Sequence, residues 1–191
     1  MTAEAKTEAA LQKVTAKTAK GRRVLDARAP QVMETVKSAT FIRGTTTSPL
    51  ISAVLTDLYS LKKPDAVFQQ RRNPVHPFEH NGEASIEFQT DKNGSAFALV
   101  GTHSKKRPHA LTIVRLFDHR VLDMLELLVQ RAETINEVKG ETCGVGNKPC
   151  FVFIGEQWEL DERFKHVRNM FVDLFRGRIV DTLDLLGLES C

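Results

Sequence analysis

Residues 39–70, ATFIRGTTTSPLISAVLTDLYSLKKPDAVFQQ, decide the fold class, because they read in succession as a strand, a helix and a second strand. Ala39–Arg43 is a short apolar run suited to a strand, and Gly44 opens a turn. Ser48 stands where an N-cap belongs, its hydroxyl able to accept from a backbone N–H that the first helical turn leaves unpaired. Pro49 follows at the first helical position, where its missing N–H removes nothing. Leu50, Ile51, Val54, Leu55 and Leu58 then recur at helical spacing. Lys62-Lys63-Pro64 supplies positive charge to the carboxyl end of that helix and then a stop. Ala66–Gln70 is the second strand.

Downstream, Asn73-Pro74-Val75-His76-Pro77-Phe78 reads as a loop. Ile86 and Phe88 alternate with Glu87 and Gln89, Asp91-Lys92-Asn93-Gly94 is turn chemistry, and Phe97 and Leu99 resume the alternation, which predicts a β-hairpin. Ala110–Leu116 is expected to be a further strand, and the broad apolar face of Val121–Val129 an amphipathic helix. Residues 140–149, rich in glycine, form a loop, after which Cys150–Ile154 reads as a buried strand. A last helix is expected from about Asp161 through Phe164, Val167, Phe171, Leu174 and Phe175 to Gly177. The order β-α-β-β-β-β-α-β-α predicts a mixed α/β or α+β fold with helices on a mostly antiparallel sheet. Upstream, residues 1–23 carry six basic and two acidic side chains and almost no large apolar ones. They are read as a basic arm, flexible when free and helical against a partner, and residues 24–191 as the folded domain.

Hydrophobic residues make up 41% and charged residues 27% of the chain, the mixture of a globular domain with a real core. No apolar run approaches the ~20 residues of a membrane span, and the N-terminal stretch lacks the apolar segment of a secretory signal. Cys143, Cys150 and Cys191 are an odd count without CxxC spacing, so neither a disulfide framework nor a zinc site is expected. The net charge of +3 conceals a polarised chain. Residues 1–120 hold 19 Lys/Arg against 11 Asp/Glu, net +8, and residues 121–191 hold 8 against 13, net −5. A polyanion partner suits the first part, because clustered cations displace the counterions condensed on phosphates.

Catalytic patterns are missing. Gly144-Val145-Gly146 is a lone GxG that precedes a strand, without the lysine and the strand-to-helix setting of a phosphate loop. Five of the six histidines fall between His76 and His119 without metal-ligand spacing, and Glu83, Glu87 and Asp91, at intervals of four around the expected hairpin, would not share a helix face there. No cofactor, metal site or catalytic residue is therefore expected. The strongest chemical feature is the loop Thr102-His103-Ser104-Lys105-Lys106-Arg107-Pro108-His109, where three consecutive cations sit between two strands. Lys62, Lys63, Arg71, Arg72 and Arg115 would join it if the fold brought them to one face.

This loop, with Gly101 before it, Leu61–Pro64 upstream and Val121–Leu127 downstream, resembles the ribosome production factor 2 family of Brix-domain proteins. Phe41–Gly44, Asn73 with Pro77-Phe78-Glu79, Lys148-Pro149, Phe171–Gly177 and Gly187-Leu188-Glu189 follow in the family's order, so that the resemblance covers roughly Arg22 to the end. It implies a Brix domain of two related halves, each similar to an anticodon-binding α/β unit, without catalytic activity. It further implies a nucleolar factor of the large (60S) subunit that binds large-subunit rRNA and helps recruit the 5S ribonucleoprotein. The implied partners are 5S rRNA, ribosomal proteins of the uL18 and uL5 families and a ribosome biogenesis regulatory protein, with no membrane. RNA-facing residues carried over on matching motifs are Arg43, Lys62, Lys63, His103, Lys105, Lys106, Arg107 and Arg115. By charge, the acidic second part suits a basic protein partner better than RNA. A rival expectation is a scaffold that binds proteins alone. Two departures stand out: His80 takes the place of the family's second acid after Glu79, and family members continue beyond Gly187-Leu188-Glu189 with further strands and a basic tail. The second half is thus expected to be incomplete, with a sheet edge open near residues 179–191.

Overall fold

The computed structural model describes residues 17–28, 36–138 and 144–175. The chain divides into two compact units, Met1–Met33 and Glu34–Cys191. In the first, helix α1 (Ala19–Arg28) starts where the Thr18 hydroxyl oxygen accepts from the Gly21 amide at 3.1 Å. The expected boundary between arm and domain, at residues 23 and 24, falls within this helix. Residues 1–16, and the chain end where an open sheet edge is expected, lie outside the described residues.

The second unit is organised by β1 (Ala39–Gly44). Helix α2 (Pro49–Lys62) returns the chain so that β2 (Ala66–Asn73) pairs with β1 in parallel, Phe41 opposite Phe68. The Ser48 hydroxyl caps α2 by accepting from the Ile51 amide at 3.3 Å, as its position in the sequence predicts. Helix α3 (Gly82–Asp91) then carries the chain to β3 (Phe97–Thr102), parallel to β1 on its other side, and β4 (Ala110–Phe117) and β5 (Arg120–Leu128) complete the sheet by antiparallel pairing. The strand order is β2-β1-β3-β4-β5. Helices α4 (Gln157–Leu160) and α5 (Glu162–Phe175) follow. The mixed α/β class holds, but the sheet is evenly mixed, with two parallel and two antiparallel pairings, instead of mostly antiparallel.

Strand alternation sorts the core into two layers. Ala39 and Phe41, Phe97 and Leu99, and Leu111 and Ile113 face Ile51 and Leu55 of α2 and Met170, Leu174 and Phe175 of α5. Ile42, Ala98, Val100, Val114 and Leu116 face Ile86 of α3 and Val75. A β-carbon on Gly101 would lie 2.5 Å from Ile51 and 2.6 Å from Leu55, so the bare backbone there lets α2 lie close on β3.

Three expected elements differ. Residues 86–99 are not a hairpin, because two parallel neighbours of β1 cannot be joined to each other by a tight turn. The run is α3, with Gly82, Ile86 and Thr90 buried four residues apart and Phe88 exposed. Asp91–Gly94 is indeed a turn, but it closes the helix: the Ser95 amide donates to Thr90 O, the Gly94 amide donates to Asp91 O, and Gly94 takes φ +60°. That is a Schellman closure. Residues 121–129 are the strand β5 instead of a helix. Asp118 and His119 both have left-handed φ, 48° and 60°, and so make the tight two-residue connection that sends the chain back beside β4. Cys150–Ile154 is not a buried strand. Phe151 and Phe153 turn inward, in tilted ring contact with Phe171 and Phe175 and with Trp158 respectively, while Val152 and Ile154 are 70% and 84% exposed.

Leu55→Ala, which empties space where α2 packs on β3, should lower the unfolding free energy by about 2–5 kcal/mol in urea titration. Thr56→Ala on the exposed side should change it by less than about 0.5 kcal/mol.

Candidate nucleic-acid interface

Because β2 and β3 both run parallel to β1 and β4 runs antiparallel to β3, the turn 44–48, the end of β2 and the loop 102–109 all lie at the carboxyl end of β1. The loop is pinned there. The His103 amide donates to Thr46 O at 2.9 Å, and the Thr46 hydroxyl donates to His103 O at 2.8 Å. The Arg107 amide donates to the Ser104 hydroxyl oxygen and the Ser104 amide to Arg107 O, each at 3.1 Å. His109 adopts a left-handed φ of 50°, and its amide donates to His103 Nδ1 at 3.1 Å. That bond makes His103 Nδ1 an acceptor and leaves its ring proton on Nε2. His109 Nδ1 sits 2.8 Å from Ser48 Oγ, so the residue that caps α2 also ties down the base of the loop.

The cations are what this framework leaves outside. Lys105 and Lys106 are exposed at the tip. Arg107 lies over the ring of Phe78 at 5.1 Å and reaches Glu126 at 3.4 Å, with 52% of its side chain still exposed. Arg43 lies over Phe68 at 5.4 Å and donates to Gln70 O at 2.5 Å, and its buried Nε has no hydrogen-bond partner. Arg72 stands opposite Arg43 in the ladder, within 3.5 Å of Thr45 O, and both Arg71 and Arg72 are exposed. Arg43, Arg71, Arg72, Lys105, Lys106 and Arg107 therefore share one end of the sheet with the amino terminus of α2, whose backbone dipole adds positive potential.

Three of the eight residues expected to face RNA are elsewhere. Lys62 and Lys63 end α2 at the opposite end of the sheet, where Asp65 O accepts from the first residue of β1. Lys62 is only 6% exposed, with its ammonium 6.0 Å from the ring centre of Phe175, and Lys63 lies over Tyr59 at 4.7 Å. Arg115 pairs in register with Phe97 at the start of β3. It is held by Asp123 at 2.6 Å and Asp173 at 3.2 Å, and Lys37 meets the other oxygen of Asp173 at 2.6 Å. The hydrogen bond to Asp123 raises the Arg115 pKa from its ordinary value, burial opposes this, and Asp173 reinforces it. Arg115 is thus a clip between the sheet and α5 and not an outward cation. Phe78 is the contributor that the sequence did not single out, since its packing on Arg107 spans 29 residues of chain. Among the described residues no group of three or more His, Cys, Asp or Glu side chains is placed to hold a metal ion.

The family model described as "Brix domain" matches residues 44–191. The chain belongs to the Brix family. Among curated proteins, the Brix-domain chain is similar to the "Ribosome production factor 2 homolog" of Arabidopsis thaliana, 41% identical over 92% of this chain and 57% of the relative. It is 40% identical to the protein so named in Schizosaccharomyces pombe, over 94% of this chain and 56% of the relative. The Homo sapiens protein of that name is 35% identical over 91% of this chain and 56% of the relative. The Brix-domain chain thus spans little more than half the length of these relatives.

Arg115→Ala should lower stability by about 1–2 kcal/mol in urea titration, because it removes the guanidinium from the half-buried Asp123 and leaves Asp173 with Lys37 alone. Lys105→Ala, at the exposed tip, should leave stability within about 0.5 kcal/mol.

Proposed function

We propose that this chain acts in ribosome biogenesis as an assembly factor of the large (60S) subunit, holding rRNA at the carboxyl end of its sheet. The observation that carries this reading is the pinned loop that presents Lys105, Lys106 and Arg107 beside Arg43, Arg71 and Arg72. Cations on a rigid frame bind phosphates without first losing the entropy of a mobile loop, and such binding positions an RNA without reading its bases. Its relatives named for ribosome production support the same reading. His103 belongs to the proposed surface through Nε2. Lys62 and Arg115 are left out of it because their charges are engaged within the domain, and Lys63 because it lies at the other end of the sheet.

In finer detail, the factor works in the nucleolus and helps recruit the 5S ribonucleoprotein, 5S rRNA with ribosomal proteins of the uL18 and uL5 families, together with a ribosome biogenesis regulatory protein. It binds and positions, and is not an enzyme. The exposed acids Glu133, Glu137, Glu156, Glu159 and Glu162 offer a basic protein partner a docking potential that RNA would avoid. The basic residues 1–23 serve as an arm to the domain formed by residues 24–191, adding non-specific attraction to phosphates.

Filter binding of 5S rRNA across a salt series tests the proposal. The triple variant Lys105→Ala, Lys106→Ala, Arg107→Ala should keep its circular dichroism spectrum yet lose affinity. Its log–log salt slope should fall by about two to three, at roughly 0.7–0.9 for each phosphate no longer neutralised. An unchanged slope would remove this loop from RNA recognition, and binding of proteins but of no RNA would favour the scaffold.

A further inference from the structure

Phe78 is an apolar ring left 44% exposed beneath the guanidinium of Arg107. Its loop is held rather than loose. Val75 on one side is 1% exposed and its amide donates to Asn73 O at 2.8 Å, and Pro77 is buried. The Glu79 amide donates to His76 O at 3.1 Å and the Gly82 amide to Glu79 O at 2.9 Å. Gly82 lies so close under this turn that a β-carbon there would collide with the carbonyl groups of His76 and Pro77. A ring presented this firmly cannot fold back to hide its surface. The guanidinium of Arg107 lies over it at 5.1 Å and is itself steadied by Glu126. A planar cation against an exposed aromatic ring, with the exposed Lys105 and Lys106 directly before it in the chain, offers both a stacking surface and phosphate ligands.

From this juxtaposition we propose that Phe78 and Arg107 form a stacking platform for an unpaired RNA base, whose flanking phosphates are held by Lys105 and Lys106. The proposal rests on the RNA-binding reading above and adds to it the class of element bound: a bulged or looped-out nucleotide, not regular duplex. Bases within a helix are already stacked on one another and present no free π-face, whereas a looped-out base gains by stacking on Phe78. A partner protein could also cover an exposed phenylalanine, but it would gain nothing from the lysine pair beside it unless it were acidic.

The test compares two short RNA hairpins, one fully paired and one with a single bulged 2-aminopurine nucleotide, titrated with the full chain and its variants. The chain should bind the bulged hairpin about tenfold more tightly, within the range of stacking one base on an aromatic side chain, and quench its 2-aminopurine fluorescence. Phe78→Ala and Phe78→Leu should bring the two affinities together and abolish the quenching, with the bulged hairpin losing far more than the paired one, and Phe78→Trp should preserve both effects. Lys105→Ala with Lys106→Ala should weaken both hairpins alike. Equal binding of the two hairpins by the unaltered chain, or equal loss on both in Phe78→Ala, would overturn the platform while leaving RNA binding intact. Failure to bind either hairpin or 5S rRNA would overturn the RNA-binding reading itself.

Discussion

Strand β1 has a parallel neighbour on each side, and much of the rest of the structure depends on that pairing. A parallel neighbour cannot be reached by a tight turn, so the chain must cross back over the sheet each time, and it does so through α2 on one face and α3 on the other. Both core layers follow from this, because each crossover helix needs an apolar row beneath it. So does the location of the cations. Crossovers return the chain to the amino end, which leaves the strands' carboxyl ends, the turn before α2 and the basic loop gathered at the other end. The anchors of the loop, Thr46 and Ser48, belong to the first crossover itself.

Position in the ladder also decides which charges are available to a partner. Lys62 and Arg115 belong to the end of the sheet that α5 closes, where Phe175 and Asp173 engage them. Those interactions tie α5 to the sheet and contribute to stability. Lys105 and Lys106, projecting beyond the last pinned backbone bonds, contribute little to stability and are available for binding. Residues of the same type thus serve opposite ends because of where a strand begins or stops.

The strand–helix–strand unit at 39–70 was legible because each boundary has local chemistry: the Ser48 cap, Pro49 behind it and the Lys62-Lys63-Pro64 stop. Asp91-Lys92-Asn93-Gly94 was legible as a turn but not as a helix closure, since glycine with left-handed φ serves both, and only the parallel pairing of β3 with β1 separates them. At 121–129 apolar residues occur on both faces of an edge strand, which imitates the broad stripe of a helix, and the turn that settles the matter uses Asp118 and His119 where a glycine would have announced it. Cys150–Ile154 reads as continuously apolar although only its alternate residues have something to pack on. Of the interface, the loop 102–109 could be read directly. The engagement of Arg115 could not, because Asp173 lies 58 residues away, and neither could the pairing of Arg107 with Phe78. Long-range pairings of this kind leave no trace in local spacing.

The proposed interface puts RNA at the carboxyl end of β1 and not at the end where Lys62 and Arg115 meet α5. Ultraviolet cross-linking of the chain to 5S rRNA, followed by mass spectrometry of the linked peptides, distinguishes the two ends. Cross-links confined to peptides containing residues 71–80 and 102–109 are the predicted result. Cross-links centred instead on Lys63 or on the Asp118–Arg120 turn, with residues 102–109 unmodified, would contradict it.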